Sequence, residues 1–196
     1  MYTRLLKRFF DLLFSVILLF LTSPIIGIAA LLVFLGDGKS PIYTQRRIGK
    51  GGKEFYIYKL RSMSKSSPEL PAGSLLNPEE YITPIGKILR KTSIDELPQL
   101  YNIIRGEMSL VGPRPALWNE YDLISAREEK GINAIIPGLT GWAQVNGRAK
   151  ISVEKKVLFD SAYADAIKRG GFEALKMDIK CILKTFIVVL KFKDVT

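Results

Sequence analysis

The sequence predicts a mostly helical α/β protein with a short strand region, entered through an apolar membrane segment. Three observations carry this. Residues Leu12 to Leu35 are apolar apart from Ser15, Thr22 and Ser23. One stretch, "EFYIYKLRSM" from Glu54 to Met63, alternates aromatic and β-branched residues as a strand does. Leu97, Leu100, Ile103 and Ile104, and the apolar residues of 176–193, recur at helical spacing. The 196 residues suffice for one domain with its own core. The expected division is an anchor over 1–38 and a second unit over 39–196.

The apolar run exceeds the ~20 residues that span a bilayer core and is too long for a signal h-region. Ser23-Pro24 falls in its middle, and proline removes one hydrogen bond from the helical ladder. Each half is then about 18 Å long, short of a ~30 Å core. Arg4, Lys7 and Arg8 precede the run, and Lys39, Arg46, Arg47, Lys50 and Lys53 follow it. The positive-inside rule places both flanks in the cytoplasm. A helix-break-helix hairpin satisfies both facts; a proline-kinked spanning helix satisfies the first alone.

After the turn "GKGGK" and the strand, Ser64 to Pro84 carries Pro68, Pro71, Gly73, Pro78 and Pro84, and reads as a long loop. Ile85–Lys91 and Ser152–Lys168 read as helices, the second ended by Gly170-Gly171. "IIPGLTGWAQVNGR" is rich in turn residues. In "KMDIKCILKTFIVVLKFK", 176–193, Lys176, Lys180, Lys184 and Lys191 share a narrow helical arc beside a wide apolar face. That pattern suits a helix lying in the lipid interface, with packing on the domain's own core as the alternative.

Composition removes whole classes of chemistry. The chain has no histidine, which excludes Ser-His and Cys-His catalysis and histidine metal sites. Its one cysteine, Cys181, excludes an intrachain disulfide and reads as a small apolar filler. Any metal would be held by oxygen, favouring magnesium, calcium or manganese. The net charge of +10 implies an anionic partner: nucleic acid, lipid surface or phosphorylated substrate.

The segment "TSIDELPQLYNIIRGEMSLVGPRP", Thr92 to Pro115, sets Asp95 and Glu96 side by side where a helix begins. Ser93 to Glu96 fits a capping box, although Pro98 also allows the helix to start there. Either way a helix N-terminus favours the ionised carboxylates. On pattern alone the two acids can be mere caps. Adjacent acids diverge by ~100° on a helix, which suits a division of labour better than a glycosidase pair. Cations are close in sequence: Lys59 and Arg61 on one strand face, Arg90 just before the acids, and Arg114 fixed between Pro113 and Pro115. A restrained guanidinium suits bidentate phosphate binding, and the group together suggests a diphosphate site.

"YKLRSM", the Asp-Glu block just quoted, "PGLTGWAQVNGR" and "LFDSAYADA" occur in this order. With the Ser-Pro break, they resemble the bacterial sugar transferase family in its small monotopic form, the polyprenyl-phosphate phosphoglycosyl transferases. The resemblance implies transfer of a sugar phosphate from a UDP-sugar to undecaprenyl phosphate at the cytoplasmic face of the bacterial inner membrane. This would be the first membrane step of glycoconjugate assembly, with downstream glycosyltransferases taking the product. It implies Asp95 as covalent nucleophile, Glu96 as its partner, and Mg2+ contacting Asp95. By position it makes Lys59, Arg61, Arg90 and Arg114 phosphate-binding cations, and Gln144, Asn146, Arg148, Asp160 and Tyr163 substrate-site residues. It also implies a re-entrant anchor broken at Ser23 and Pro24, and a catalytic domain, 39–196, resting on anionic lipids. "SAREEKGINA", 125–134, matches nothing in the family pattern.

Two other readings fit the charge: a non-enzymatic, lipid-anchored basic protein, and another metal-dependent phosphotransferase. No aromatic-basic RNA motif or zinc finger is present, so nucleic acid is not an expected partner.

Overall fold

The computed structural model of the chain describes residues 4–64, 66–68, 77–147 and 151–190. Helix α1, Arg4–Asp37, leads into a hairpin of β1, Ile42–Ile48, and β2, Glu54–Leu60. Helices α2, Pro84–Thr92, and α3, Gln99–Arg105, follow, then β3, Ser109–Val111, and β4, Ala116–Leu117. The rest is α4, Tyr121–Glu129; β5, Gly138–Thr140; α5, Trp142–Gly147; α6, Val153–Arg169; and α7, Gly171–Leu190. Strand order β2-β1-β4 makes one antiparallel sheet, and β3 pairs with β5 in parallel. The expected strand over 54–63 ends at Leu60, and Met63 then bridges to Ile82. That bridge closes the 64–84 loop; its Pro71 and Gly73 lie outside the described residues.

The expected helix-break-helix is one uninterrupted helix of 34 residues, with Pro24 inside it. Pro24 has no N–H for the Phe20 carbonyl, and the Ser23 hydroxyl donates to that carbonyl instead, at 2.8 Å. Thr22 donates to the Leu18 carbonyl at 2.7 Å. The hydroxyl beside the proline thus satisfies the carbonyl that the ring leaves without a donor, and a proline with such a back-bond is where a continuous helix bends.

Helix α1 is about 50 Å long at ~1.5 Å per residue, and both its ends touch the same domain. Near its start, Lys7 pairs with Asp178 at 2.8 Å, Arg8 donates to the Ile103 and Ile104 carbonyls, and Asp11 accepts from Ser109 and Leu110. Farther along, Leu19 packs on the Phe55, Ile57, Leu100, Ile103 and Met108 cluster. Ala29 and Val33 pack on Leu60 and Leu89. At its end, Asp37 takes both terminal nitrogens of Arg61, at 2.5 and 2.6 Å. The other face exposes Phe9, Leu13, Ile17, Phe20, Leu21, Ile28, Leu31 and Leu35. An apolar face of this extent has no place in water.

Helix α7 packs on the domain's own core along one face and leaves apolar residues exposed on the other. Ala174, Asp178 and Cys181 are buried against the domain, while Phe172, Ile179, Ile182, Leu183, Phe186 and Ile187 are exposed. Burial first of all pushes the Cys181 thiol up to about 12, so it serves as an inert filler. Lys184 leaves the expected lysine stripe: it is half-buried, donates to Asn146 and covers the Trp142 ring. Lys191 lies outside the described residues.

The parallel β3–β5 pair depends on glycine. A Cβ on Gly138 would stand 2.0 Å from the Gly112 nitrogen, and one on Gly141 2.0 Å from the Gly112 oxygen. Backbones this close leave no room for a methyl group. Gly138→Ala should lower stability by roughly 1–3 kcal/mol or more in denaturant unfolding. Gly27→Ala, where nothing lies within 4 Å, should leave it unchanged or slightly raised. Equal effects of the two would contradict this packing.

Candidate active site

The acid pair sits in a single 3-10 turn, Ile94–Glu96, between α2 and α3. Ser93, which links α2 to that turn, is left-handed at φ 58°, and its side chain caps nothing. The expected capping box is therefore absent: Glu96 turns away to two cations, and α3 starts behind Pro98. Lys59 Nζ donates to Glu96 Oε1 at 2.9 Å, and Arg114 Nη2 to the same oxygen at 2.7 Å. Lys59 comes from the end of β2, and Arg114 from the loop between β3 and β4.

The two carboxylates have opposite electrostatic fates. Burial alone would raise Glu96, but the charges of Arg114 and Lys59 and their hydrogen bonds outweigh it and hold this carboxyl well below its usual range. Asp95 has no hydrogen bond or ion pair among the described residues. Burial, then the charge of Glu96, raises it to about 6 against the opposing pull of Lys59, Arg90 and Arg114. The helix-terminus stabilisation expected for Asp95 is thus outweighed by desolvation. Burial also lowers Lys59, with Glu96 opposing. Four cations, Arg47, Lys59, Arg90 and Arg114, act on this acid pair. The cationic excess suits an anionic ligand of more than one charge.

Neighbouring residues fix these positions. The buried Asn102 carboxamide pairs with the open edge of β2, accepting from Tyr58 N at 3.1 Å and donating to the Tyr56 carbonyl at 2.7 Å. This joins the acid-bearing segment to the strand that carries Lys59. The Arg114 loop is held by its carbonyls: Arg127 donates to that of Arg114 at 2.8 Å, and Arg47 to that of Pro115 at 3.0 Å. Arg127 in turn pairs with buried Asp160 at 2.6 Å.

Of the site residues expected from sequence, Asp95, Glu96, Lys59, Arg90 and Arg114 come together. Arg61 does not: β2 ends one residue before it, and its guanidinium is buried on Asp37. Asp160 and Tyr163 are fully buried, with Asp160 on Arg127 and the Tyr163 hydroxyl 2.8 Å from both the Val111 carbonyl and Asp178. Both support the site from behind. Gln144 and Asn146 lie on α5, which is a helix where turns were expected; they bond to the Leu139 and Trp142 carbonyls. Arg148 lies outside the described residues, and Ser23 and Pro24 serve α1. Sequence reading missed Arg47, Asn102 and Arg127 as site residues. The register pairs Tyr43 with Lys59 and Arg47 with Phe55, which puts Arg47 on the Lys59 face. Arg127 falls within the unmatched 125–134 stretch, where only its charge in an otherwise acidic helix stood out.

No group of three or more Asp, Glu, Cys or His side chains gathers among the described residues. An ion here would find Asp95 as the carboxylate of the pair without a cation partner among the described residues, and would need oxygens from a ligand's phosphates. That donor set fits magnesium, which keeps water and substrate oxygens in its shell.

The raised Asp95 sets a pH-dependent cost. Between 3.8, its ordinary value, and about 6, the folded chain holds a proton that the unfolded chain has released. Stability tied to this group is therefore present at low pH and lost as pH rises through that window. Asp95→Asn removes the loss. In chelator, the variant should match wild type near pH 4 and exceed it by up to about 3 kcal/mol near pH 7.5. A stability difference that does not widen with pH would overturn this assignment.

The bacterial sugar transferase family model matches residues 2–192. The uncharacterized sugar transferase EpsL of Bacillus subtilis is 44% identical over 82% of this chain and 78% of its own length. The UDP-galactose-lipid carrier transferase of Erwinia amylovora is 40% identical over 96% of this chain. The undecaprenyl-phosphate galactose phosphotransferase of Salmonella typhimurium is 37% identical over 96% of this chain. The chain spans 41% of the length of each of these last two. With the match running from α1 through the acid pair to α7, the chain belongs to the bacterial sugar transferase family.

Proposed function

We propose that the chain transfers a sugar 1-phosphate from a UDP-sugar to undecaprenyl phosphate, through a covalent phosphosugar on Asp95. The observation that carries this is the split between the acids: Glu96 is pinned by two cations, while the buried Asp95 carboxylate has no hydrogen-bond or ion-pair partner among the described residues. Relatives named for a UDP-galactose-lipid carrier and for undecaprenyl phosphate support the donor and acceptor classes.

In the first step an Asp95 oxygen forms a bond to the phosphorus that carries the sugar. The bond from that phosphorus to the bridging oxygen breaks, and UMP leaves with the electron pair. In the second step an oxygen of the lipid phosphate attacks the same phosphorus. The Asp95–phosphorus bond breaks, giving the lipid diphosphosugar and the free carboxylate. Attack by an anion on an anionic phosphate is opposed by repulsion, which Arg114, Lys59, Arg47 and Arg90 offset as fixed charges. Magnesium, held by Asp95 and the diphosphate, would supply further charge neutralisation. Wild type given UDP-sugar and Mg2+ without acceptor should gain the mass of one phosphosugar on Asp95 and release UMP. Asp95→Asn should do neither while staying folded. Turnover by Asp95→Asn, or an adduct elsewhere, would sink the covalent reading, and continued UMP release beyond one per chain without polyprenyl phosphate would point to another phosphotransferase.

The same proposal places α1 as a re-entrant element of the cytoplasmic leaflet of the inner membrane, with α7 in the interface against anionic lipids. Docking of both α1 ends on one domain supports this, because a crossing helix would carry one end away. Cysteines at Tyr2 and at Lys39 should both react with an impermeant reagent from the cytoplasmic side only. Labelling from opposite sides would show a crossing.

A further inference from the structure

We infer that Arg8 and Asp11, on the first turns of the membrane helix, are positioning residues for the reacting groups; the inference rests on the transferase reading above. The chain between the acid pair and Arg114 is bolted to α1 at two points. Arg8 donates to the Ile103 carbonyl at 2.6 Å and to the Ile104 carbonyl at 3.0 Å, closing the C-terminal end of α3. Asp11 accepts from Ser109 Oγ at 2.8 Å and from Leu110 N at 3.1 Å, fixing the start of β3. Helix α3 follows directly on the Asp95–Glu96 turn, and β3 leads directly into Pro113–Pro115. Glu96 and Arg114, which must meet at 2.7 Å, therefore stand at the two ends of one segment whose middle is held by the anchor.

The grip is built for geometry as well as for charge. Asp11 is 6% exposed and Ser109 1% exposed, so both are removed from water in the folded protein. Arg8 uses both terminal nitrogens on two successive carbonyls, a fork that lysine cannot reproduce. One turn away, Lys7 pairs with Asp178, whose other oxygen faces the Tyr163 hydroxyl, and that hydroxyl faces the Val111 carbonyl. Three side chains on the first two turns of α1 thus reach α3, β3 and α7. Seating of α1 and alignment of Glu96 with Arg114 are consequently one event.

Two variants separate this role from a topogenic one. Arg8→Lys keeps the positive charge that the positive-inside rule reads but loses the fork. Asp11→Ala removes a negative charge, which that rule tolerates, and loses both bonds at β3. Each is assayed as full-length chain in nanodiscs containing undecaprenyl phosphate for UMP release from a UDP-sugar with Mg2+, with cysteine labelling and thermal unfolding in parallel. Each should lower kcat by about tenfold or more, the size of one lost charge-assisted hydrogen bond. The donor KM should change by less than about threefold, with labelling unchanged. Ser109→Ala added to Asp11→Ala should cost less than the two single effects summed, because they share the Asp11–Ser109 contact, although Ser109 Oγ also reaches the Val111 carbonyl at 3.0 Å. Wild-type kcat in Arg8→Lys and Asp11→Ala, or a loss that tracks only altered labelling or melting, overturns the inference. Absence of UMP release by wild type instead overturns the transferase reading on which it rests.

Discussion

The site turns on the ion pair that Glu96 makes with Lys59 and Arg114. Two cations from separate elements converge on one carboxylate oxygen, at 2.9 and 2.7 Å. Their convergence fixes β2, the acid turn and the Pro-Arg-Pro loop against one another. It also determines what the neighbouring acid can be. With Glu96 consuming the nearest cations, Asp95 is left desolvated beside a negative charge and rises to about 6. A carboxyl in that state is a poor structural anchor and a good reactive group, because binding a metal or bonding to phosphorus relieves the unfavourable burial.

Around this centre lie buried polar groups that hold carbonyls. Arg47, Arg127 and Arg8 each donate to main-chain oxygens of the segments that carry Glu96 and Arg114. Asn102 does the same for the edge of β2. Main-chain groups in irregular loops must find partners when buried. Here the partners are long cations, which bridge loops that no sheet connects. Asp160 and Tyr163 belong to this layer: their role in the site passes through Arg127 and the Val111 carbonyl.

The membrane helix is part of the same construction. Its apolar outer face is suited to lipid, while its inner face carries Lys7, Arg8, Asp11, Asp37 and the small apolar residues Ala29 and Val33. Charged groups at both ends hold the helix along the domain. The Ser23 hydroxyl satisfies the carbonyl that Pro24 leaves without a donor, and the backbone stays helical even though its sequence announces a break.

The sequence by itself determined the elements whose signals are local. The apolar run, the β2 strand and helices α2 and α6 follow from periodicity and proline placement, and the adjacent Asp95 and Glu96 with cations near them in the chain can be read from residue type alone. Strand β1 was hidden because its consecutive Arg46 and Arg47 look solvated, and only pairing with β2 makes it a strand. Tertiary structure alone decided which cations serve the site. Arg61 sits two residues from Lys59 yet lies beyond the end of the strand, where Asp37 of the distant α1 captures it. Half-buried Arg47 and buried Arg127, unremarkable in the chain, become supports once the hairpin register and the α4–α6 packing are set. A residue's type and spacing fix what it can bond; its partner is fixed by which remote segment the fold brings within 3 Å, and local sequence carries no record of that distance.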